Sequence, residues 1–329
     1  MKRVGVIGSG SWATAIVKIL CNNVDLVQWY VRNIESAKYL SEFKRNPKYL
    51  QSVEFDSRKI AVSTNLCDTI ESSDLLILAT PSAFLNSLFE DIDLNLLKGK
   101  IIFSAVKGII PEFNAIPARF IHKTLGTPYE EIGIISGPCH AEEVALERLS
   151  YLTIACQDED IADEVAQLFS CRYIKTSTSD DLFGTEISAV LKNVYSIASG
   201  ICAGLGYGDN FQAVLISNAI QEIENFIDEV SPIHRDVKSS AYLGDLLVTG
   251  YSKFSRNRTF GFMIGKGYSV KTAQLEMDMI AEGYYAVKSI MEINKKFQVE
   301  IPIVEAVYNI VYEKISPVIE MRILSEKLS

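Results

Sequence analysis

Apolar positions in the first half of this chain fall in short runs, whereas in the second half they follow the helical repeat. Val4-Gly5-Val6-Ile7 is apolar and largely β-branched, as a strand buried on both faces of a parallel sheet must be. Similar runs follow at Leu26–Val31, Asp74–Thr80, Ile101–Val106, Ile132–Ile135, Leu152–Cys156 and Tyr173–Thr176. Helical spacing intervenes, beginning with Ala15, Ile16, Ile19 and Leu20. Strand and helix patterns in alternation predict an α/β fold with a Rossmann-type, mostly parallel sheet. Near Asp180 the character changes and strand patterns stop. Ala213, Ile216, Ile220, Ile223 and Ile227 mark one helical stripe; Ile290, Ile293 and Phe297 end another. The expected organisation is a sheet domain over residues 1–182 followed by an all-helical domain over 183–329, with the active site in the crevice between them.

The first strand runs straight into Gly8-Ser9-Gly10-Ser11-Trp12-Ala13, a G-x-G-x-x-A turn that opens a helix. Gly8 permits the tight turn, Gly10 lets backbone approach a pyrophosphate, and Ala13 allows close helix–strand packing. The helix amino terminus adds free N–H groups and a positive dipole end. Strand, turn and helix in this order predict a nicotinamide dinucleotide site. The second strand ends at Arg32-Asn33, where NAD sites usually carry a carboxylate for the ribose hydroxyls. An arginine there suits a 2′-phosphate and tilts the expectation toward NADP(H). The other strand endings, at Pro81-Ser82, Lys107-Gly108 and Ser136-Gly137-Pro138-Cys139-His140, should border the same cleft.

Composition narrows the function class. With 329 residues, 48% hydrophobic and 22% charged, the chain can bury a full core without disulfides or metals. A net charge of −9 argues against nucleic acid as a partner. Six cysteines show no C-x-x-C pairing, so they are expected to be reduced thiols of a cytoplasmic protein. His122, His140 and His234 are scattered, and no metal site is expected. Charge interrupts the most apolar helix at Lys192, so no membrane span is expected.

That lysine is the first candidate for chemistry. The stretch Glu186–Ala203 is apolar on most sides, yet Lys192 shares a stripe with Ser188, Ser196 and Ser199. Burial favours the neutral amine and brings its pKa toward the range of a general acid/base. The second cluster is Gly244-Asp245-Leu246-Leu247-Val248-Thr249 followed by Ser255-Arg256-Asn257-Arg258. An acid able to orient a proton donor, then a guanidinium flanked by neutral donors, suits a small substrate bearing a phosphate and a carbonyl or carbinol.

Together with Leu191-Lys192-Asn193-Val194, Ser136-Gly137-Pro138 and Glu282-Gly283, these motifs stand in an order that resembles the bacterial-type NAD(P)-dependent glycerol-3-phosphate dehydrogenases over nearly the whole chain. The resemblance implies hydride transfer between NAD(P)H and dihydroxyacetone phosphate, giving sn-glycerol 3-phosphate for phospholipid synthesis, by a homodimer. It implies that Lys192 accepts the alcohol proton, with Asp245 and Lys107 as its catalytic partners. Lys107, Gly137, Cys139, Lys192, Asp245, Ser255, Arg256 and Asn257 would contact the substrate. The dinucleotide would meet Gly8, Gly10, Ser11, Trp12, Arg32, Asn33, Lys107, Ala141, Arg256, Ile280 and Glu282. Cys139 departs from the Ser or Thr usual in the family, and an Arg that the family tends to carry near Ser217-Asn218 is missing. A 3-hydroxyacid or 6-phosphogluconate dehydrogenase would share the glycine turn and the Lys-Asn pair, but not the Asp245–Arg258 cluster.

Overall fold

The computed structural model describes residues 2–252, 254–277 and 281–329. Two compact units emerge, one of Met1–Val106 with Pro117–Leu182, the other of Lys107–Ile116 with Phe183–Ser329.

The first unit is built on eight strands: β1 Val4–Ile7, β2 Val27–Tyr30, β3 Ile60–Ser63, β4 Leu75–Leu78, β5 Ile101–Ser104, β6 Ile132–Ser136, β7 Ser150–Cys156 and β8 Ile174–Ser179. They lie in the order β3-β2-β1-β4-β5-β6-β7-β8. All neighbours pair parallel except β6 with β7. Central strands β1, β4 and β5 are buried at every residue, which explains why they read as unbroken apolar runs. β3 was not expected from the pattern. It is an edge strand with only Ile60 fully buried, so Ile60-Ala61-Val62-Ser63 carries little hydrophobic signal. Several predicted strands contract at their ends; Leu26, for instance, lies outside β2 and is exposed. The strand order reverses between β1 and β4, the switch point where doubly wound sheets bind ligands, and the glycine turn follows β1 there.

In the second unit the helix Leu182–Leu205 carries Lys192, and its Val190, Leu191, Val194, Tyr195, Ile197 and Ile201 lie within the core. By length and composition it could cross a membrane, but 94% of its apolar stretch is buried inside the protein. The helix Asp209–Val230 corrects the predicted stripe. Its buried face is Gln212, Leu215, Ile216, Ala219, Glu222, Ile223, Phe226 and Ile227, whereas Ala213 is exposed. Two polar residues sit on that face because each finds partners. Gln212 bonds both Oγ and the carbonyl of Ser199. Glu222 accepts from Tyr195 Oη and from the backbone N–H groups of Ile303 and Val304, at the start of the helix Pro302–Val311, whose N-cap Ile301 offers no side-chain acceptor. A count of apolar residues alone misplaces such a face.

The helix Arg256–Gly265 packs against the Lys192 helix backbone to backbone. A Cβ on Gly261 would lie 2.1 Å from the Ile197 carbonyl oxygen, and one on Gly200 would lie 2.1 Å from that of Arg258. Gly265 meets Ile201 as Gly261 meets Ile197, so the two helices run in the same direction. Gly261→Ala should therefore destabilise the protein by about 1–3 kcal/mol, through backbone displacement with no flexible neighbour to yield. Chemical denaturation of the variant measures this; unchanged stability would mean that the helices separate freely.

Candidate active site

The glycine turn is shaped to receive a pyrophosphate. Gly8 has φ +135°, and a Cβ there would lie 2.4 Å from the Ala79 carbonyl oxygen. Gly10 faces open space, with nothing within 4 Å of its Cβ position. Carbonyls are drawn aside by other groups: Trp29 Nε1 donates to Gly8 O at 2.7 Å, Asn46 Nδ2 to Ser9 O at 3.0 Å, and Thr14 Oγ1 to Gly10 O at 2.8 Å. The helix Ser11–Leu20 begins without a side-chain cap and without an acidic residue in its first turn. Its opening N–H groups thus suit an anion. Trp12 Nε1 is buried and has no hydrogen-bond partner among the described residues, as expected of a donor that awaits a ligand. These observations fit a dinucleotide. Arg32, at the end of β2, lies with its guanidinium 5.5 Å from the ring centroid of Phe84, a residue that no sequence motif marks. Asn33 caps the helix Ile34–Phe43 by accepting from Ser36 N–H at 2.8 Å. At the end of β6, Gly137 has φ +117° and packs on the Tyr151 carbonyl, where a Cβ would be 2.7 Å away. Cys139 and His140 follow, and Ala141 begins the short helix Ala141–Ala145.

In the second unit three charged residues meet. Lys192, 4% exposed, donates to Asp245 Oδ1 and, at 3.1 Å, to Thr249 Oγ1. Asp245, 1% exposed, receives Lys107 Nζ on its other oxygen at 3.2 Å. Asn193 Nδ2 holds the Lys107 carbonyl at 2.7 Å, which fixes the segment that delivers the second lysine. Burial lowers the Lys192 pKa to about 7; the Asp245 charge opposes that fall and the Lys107 charge adds to it. Burial pushes Asp245 upward, but the two lysines outweigh it and hold the carboxyl below its usual range. One carboxylate thus balances one ammonium, and the buried amine can exchange its proton near neutral pH.

The helix Arg256–Gly265 presents the third part. Ser255 caps it, its Oγ accepting from Arg258 N–H at 3.3 Å and lying 2.8 Å from Ser196 Oγ. Ser196 also donates to Thr249 O at 2.8 Å, so one hydroxyl ties the Asp245–Tyr251 helix to the Ser255 turn. Asn257 Oδ1 accepts from Gly283 N–H at 2.9 Å, beside Glu282 at the start of the helix Glu282–Phe297. Ser255 and Asn257 therefore also join elements together. Arg256 is exposed. Of the residues expected in the site, Ile280 lies outside the described residues.

Thr249 and Ser196 complete the group, although neither belongs to a motif of its own. Spacing points to both: Thr249 is four residues after Asp245 and Ser196 four after Lys192, so each shares a helix face with a catalytic candidate.

A dinucleotide turn on a doubly wound sheet, joined to a helical unit with a buried Lys–Asp pair, defines a nicotinamide-dependent dehydrogenase. Models of the NAD-dependent glycerol-3-phosphate dehydrogenase N-terminus and C-terminus match residues 3–162 and 181–321. The chain is 32% identical to the glycerol-3-phosphate dehydrogenase [NAD(P)+] of Staphylococcus carnosus over 316 residues, 96% of this chain and 95% of that protein. With the Staphylococcus epidermidis protein the identity is 32% over 328 residues, 99% of this chain and 98% of that one. The chain belongs to the NAD-dependent glycerol-3-phosphate dehydrogenase family. Its fold is that of the glycerol-3-phosphate dehydrogenase of Coxiella burnetii, with TM-score 0.91 at 24% identity and 99% of both chains covered. A D-mandelate dehydrogenase shares the fold more loosely, with TM-score 0.61 at 18% identity over 95% of this chain and 98% of that one.

Proposed function

We propose that this protein interconverts dihydroxyacetone phosphate and sn-glycerol 3-phosphate with NADPH or NADH, and that Lys192 exchanges the alcohol proton. The observation that carries this reading is the buried Lys192–Asp245–Lys107 group, tied through Thr249 and Ser196 to the Ser255-Arg256-Asn257 turn. Residues 1–182, apart from the Lys107–Ile116 segment that folds with the helical unit, would serve the dinucleotide and 183–329 the substrate. Gly8, Gly10, Ser11, Trp12 and Ala141 would hold the dinucleotide, with Arg32 and Asn33 at its adenosine end and Glu282 also facing it. When bound, it supplies the hydride that reaches C2 of the ketone. Arg256 and Asn257 Nδ2 hold the substrate phosphate and so orient C2. Gly137 and Cys139 border the substrate. Negative charge growing on the carbonyl oxygen is met by the ammonium groups of Lys192 and Lys107. Lys192 then gives its proton to that oxygen, and Asp245 keeps the amine aimed throughout. Catalysis by a homodimer in the cytoplasm, supplying glycerol 3-phosphate for phospholipids, completes the proposal.

The test is NADPH consumption with dihydroxyacetone phosphate, set against a panel of 3-oxo acids and of 6-phosphogluconate with NADP. Activity confined to the panel would overturn the reading.

Cofactor choice yields a separate expectation. Arg32→Asp should weaken NADPH at least about tenfold while sparing NADH, because a charge-assisted contact to the 2′-phosphate contributes about 1.5–3 kcal/mol. Titration of both cofactors by fluorescence quenching reads this out; equal weakening would place the discrimination elsewhere.

A further inference from the structure

We propose that the Arg258 guanidinium is a second phosphate-binding group of this active site, acting with Arg256; the inference rests on the substrate reading above. Arg258 is half-buried, and its Nε is buried with no hydrogen-bond acceptor. Among the described residues its side chain has neither a hydrogen bond nor an ion pair. Among the described residues other buried cations are matched: Lys192 and Lys107 by Asp245, and Arg235, with a side chain 4% exposed, by Asp228. Carboxylates outnumber lysines and arginines by 41 to 32, yet among the described residues none forms an ion pair with Arg258. A guanidinium has five donors and no way to neutralise itself, so one left half-buried and unmatched calls for an anionic ligand.

The direction of the side chain follows from the packing. Arg258, Gly261 and Gly265 share one helix stripe, and the two glycines lie on the carbonyls of Ile197 and Ile201. Arg258 therefore projects from the face that meets the Lys192 helix. Side chains of a helix tilt toward its amino terminus, and the two helices run the same way. The guanidinium is thus directed toward the Lys192 end. Ser255 Oγ, 2.8 Å from Ser196 Oγ, fixes the start of this helix one turn from Lys192. Gly283, held by Asn257, packs against the Asn193 carbonyl at the same level, where its Cβ position is 2.6 Å from that oxygen.

Charge balance favours phosphate. Asp245 already offsets one of the two nearby lysines, and a phosphate monoester carries close to two negative charges at neutral pH. The remaining ammonium faces the carbonyl oxygen in the proposed mechanism, so Arg256 alone matches one of the phosphate charges. A second guanidinium, with its planar fork of donors, supplies the other. The phosphate is either the monoester of the substrate or the pyrophosphate of the dinucleotide, and two binding measurements distinguish them.

Arg258→Met and Arg258→Lys should be compared with wild type by calorimetry with sn-glycerol 3-phosphate and by fluorescence quenching with NADPH. Loss of about 10- to 100-fold in sn-glycerol 3-phosphate affinity, with NADPH retained, assigns Arg258 to the substrate phosphate. The reverse pattern assigns it to the pyrophosphate. In either case Arg258→Lys recovers little, because an ammonium lacks the fork, and the melting temperature does not fall, because no protein partner is lost. Unchanged affinity for both ligands in a folded Arg258→Met protein overturns the proposal. The wild-type isotherm tests the substrate reading by itself: NADPH binding without sn-glycerol 3-phosphate binding would reject that reading before Arg258 is considered.

Discussion

Replacing Lys192 with alanine is expected to lower turnover by about 10²-fold or more in both directions while leaving NADPH affinity near that of wild type. In the proposed mechanism the buried amine exchanges the proton, and the alanine side chain has nothing to exchange. Asp245 would keep Lys107 as a partner, so the variant should fold. Lys192→Arg should be no better, since a guanidinium does not release its proton. The pH profile carries the same information. With the Lys192 pKa at about 7, glycerol 3-phosphate oxidation needs the neutral amine and should rise as pH passes upward through that region. Ketone reduction needs the ammonium form and should fall over the same range. Steady-state rates from pH 5.5 to 9 in wild type and variant would show the step and its disappearance. Normal turnover in a folded Lys192→Ala protein would remove Lys192 from the mechanism.

Dihydroxyacetone without its phosphate is expected to be a very poor substrate, with turnover falling as well as affinity. A phosphate held by Arg256 and Asn257 lends binding energy that fixes the carbonyl for reaction, and a truncated substrate loses that orientation. The discriminating quantity is the ratio of kcat/KM for the phosphorylated and unphosphorylated ketones, measured at saturating NADPH because the family resemblance also assigns Arg256 to the dinucleotide. In Arg256→Lys the ratio should collapse, since an ammonium cannot engage two phosphate oxygens in one plane. A ratio that survives the substitution would move the phosphate elsewhere and refute this view of the Ser255-Arg256-Asn257 turn.

Much of this protein could be read from local pattern. The run Val4–Ile7 and the turn Gly8-Ser9-Gly10 announce strand, turn and helix because each depends on neighbours in sequence: β-branching, freedom at positive φ, and a first helical turn. Lys192 on an otherwise apolar helix was visible for the same reason. Tertiary structure decided what local pattern could not carry. β3 escaped notice because an edge strand needs few apolar residues. Glu222 and Gln212 join Ile216, Ile223 and Ile227 on the buried face of their helix, unforeseen by apolar spacing, because their partners, the start of the helix Pro302–Val311 and Ser199, are distant in sequence or on another element. The same is true of the site's charges. Lys107 and Lys192 are 85 residues apart, and only folding places both on the single carboxylate of Asp245, in surroundings dry enough to bring a lysine to about 7. Residue type and spacing determined which groups were available; burial and long-range pairing, which no window of sequence contains, determined which proton is free to move.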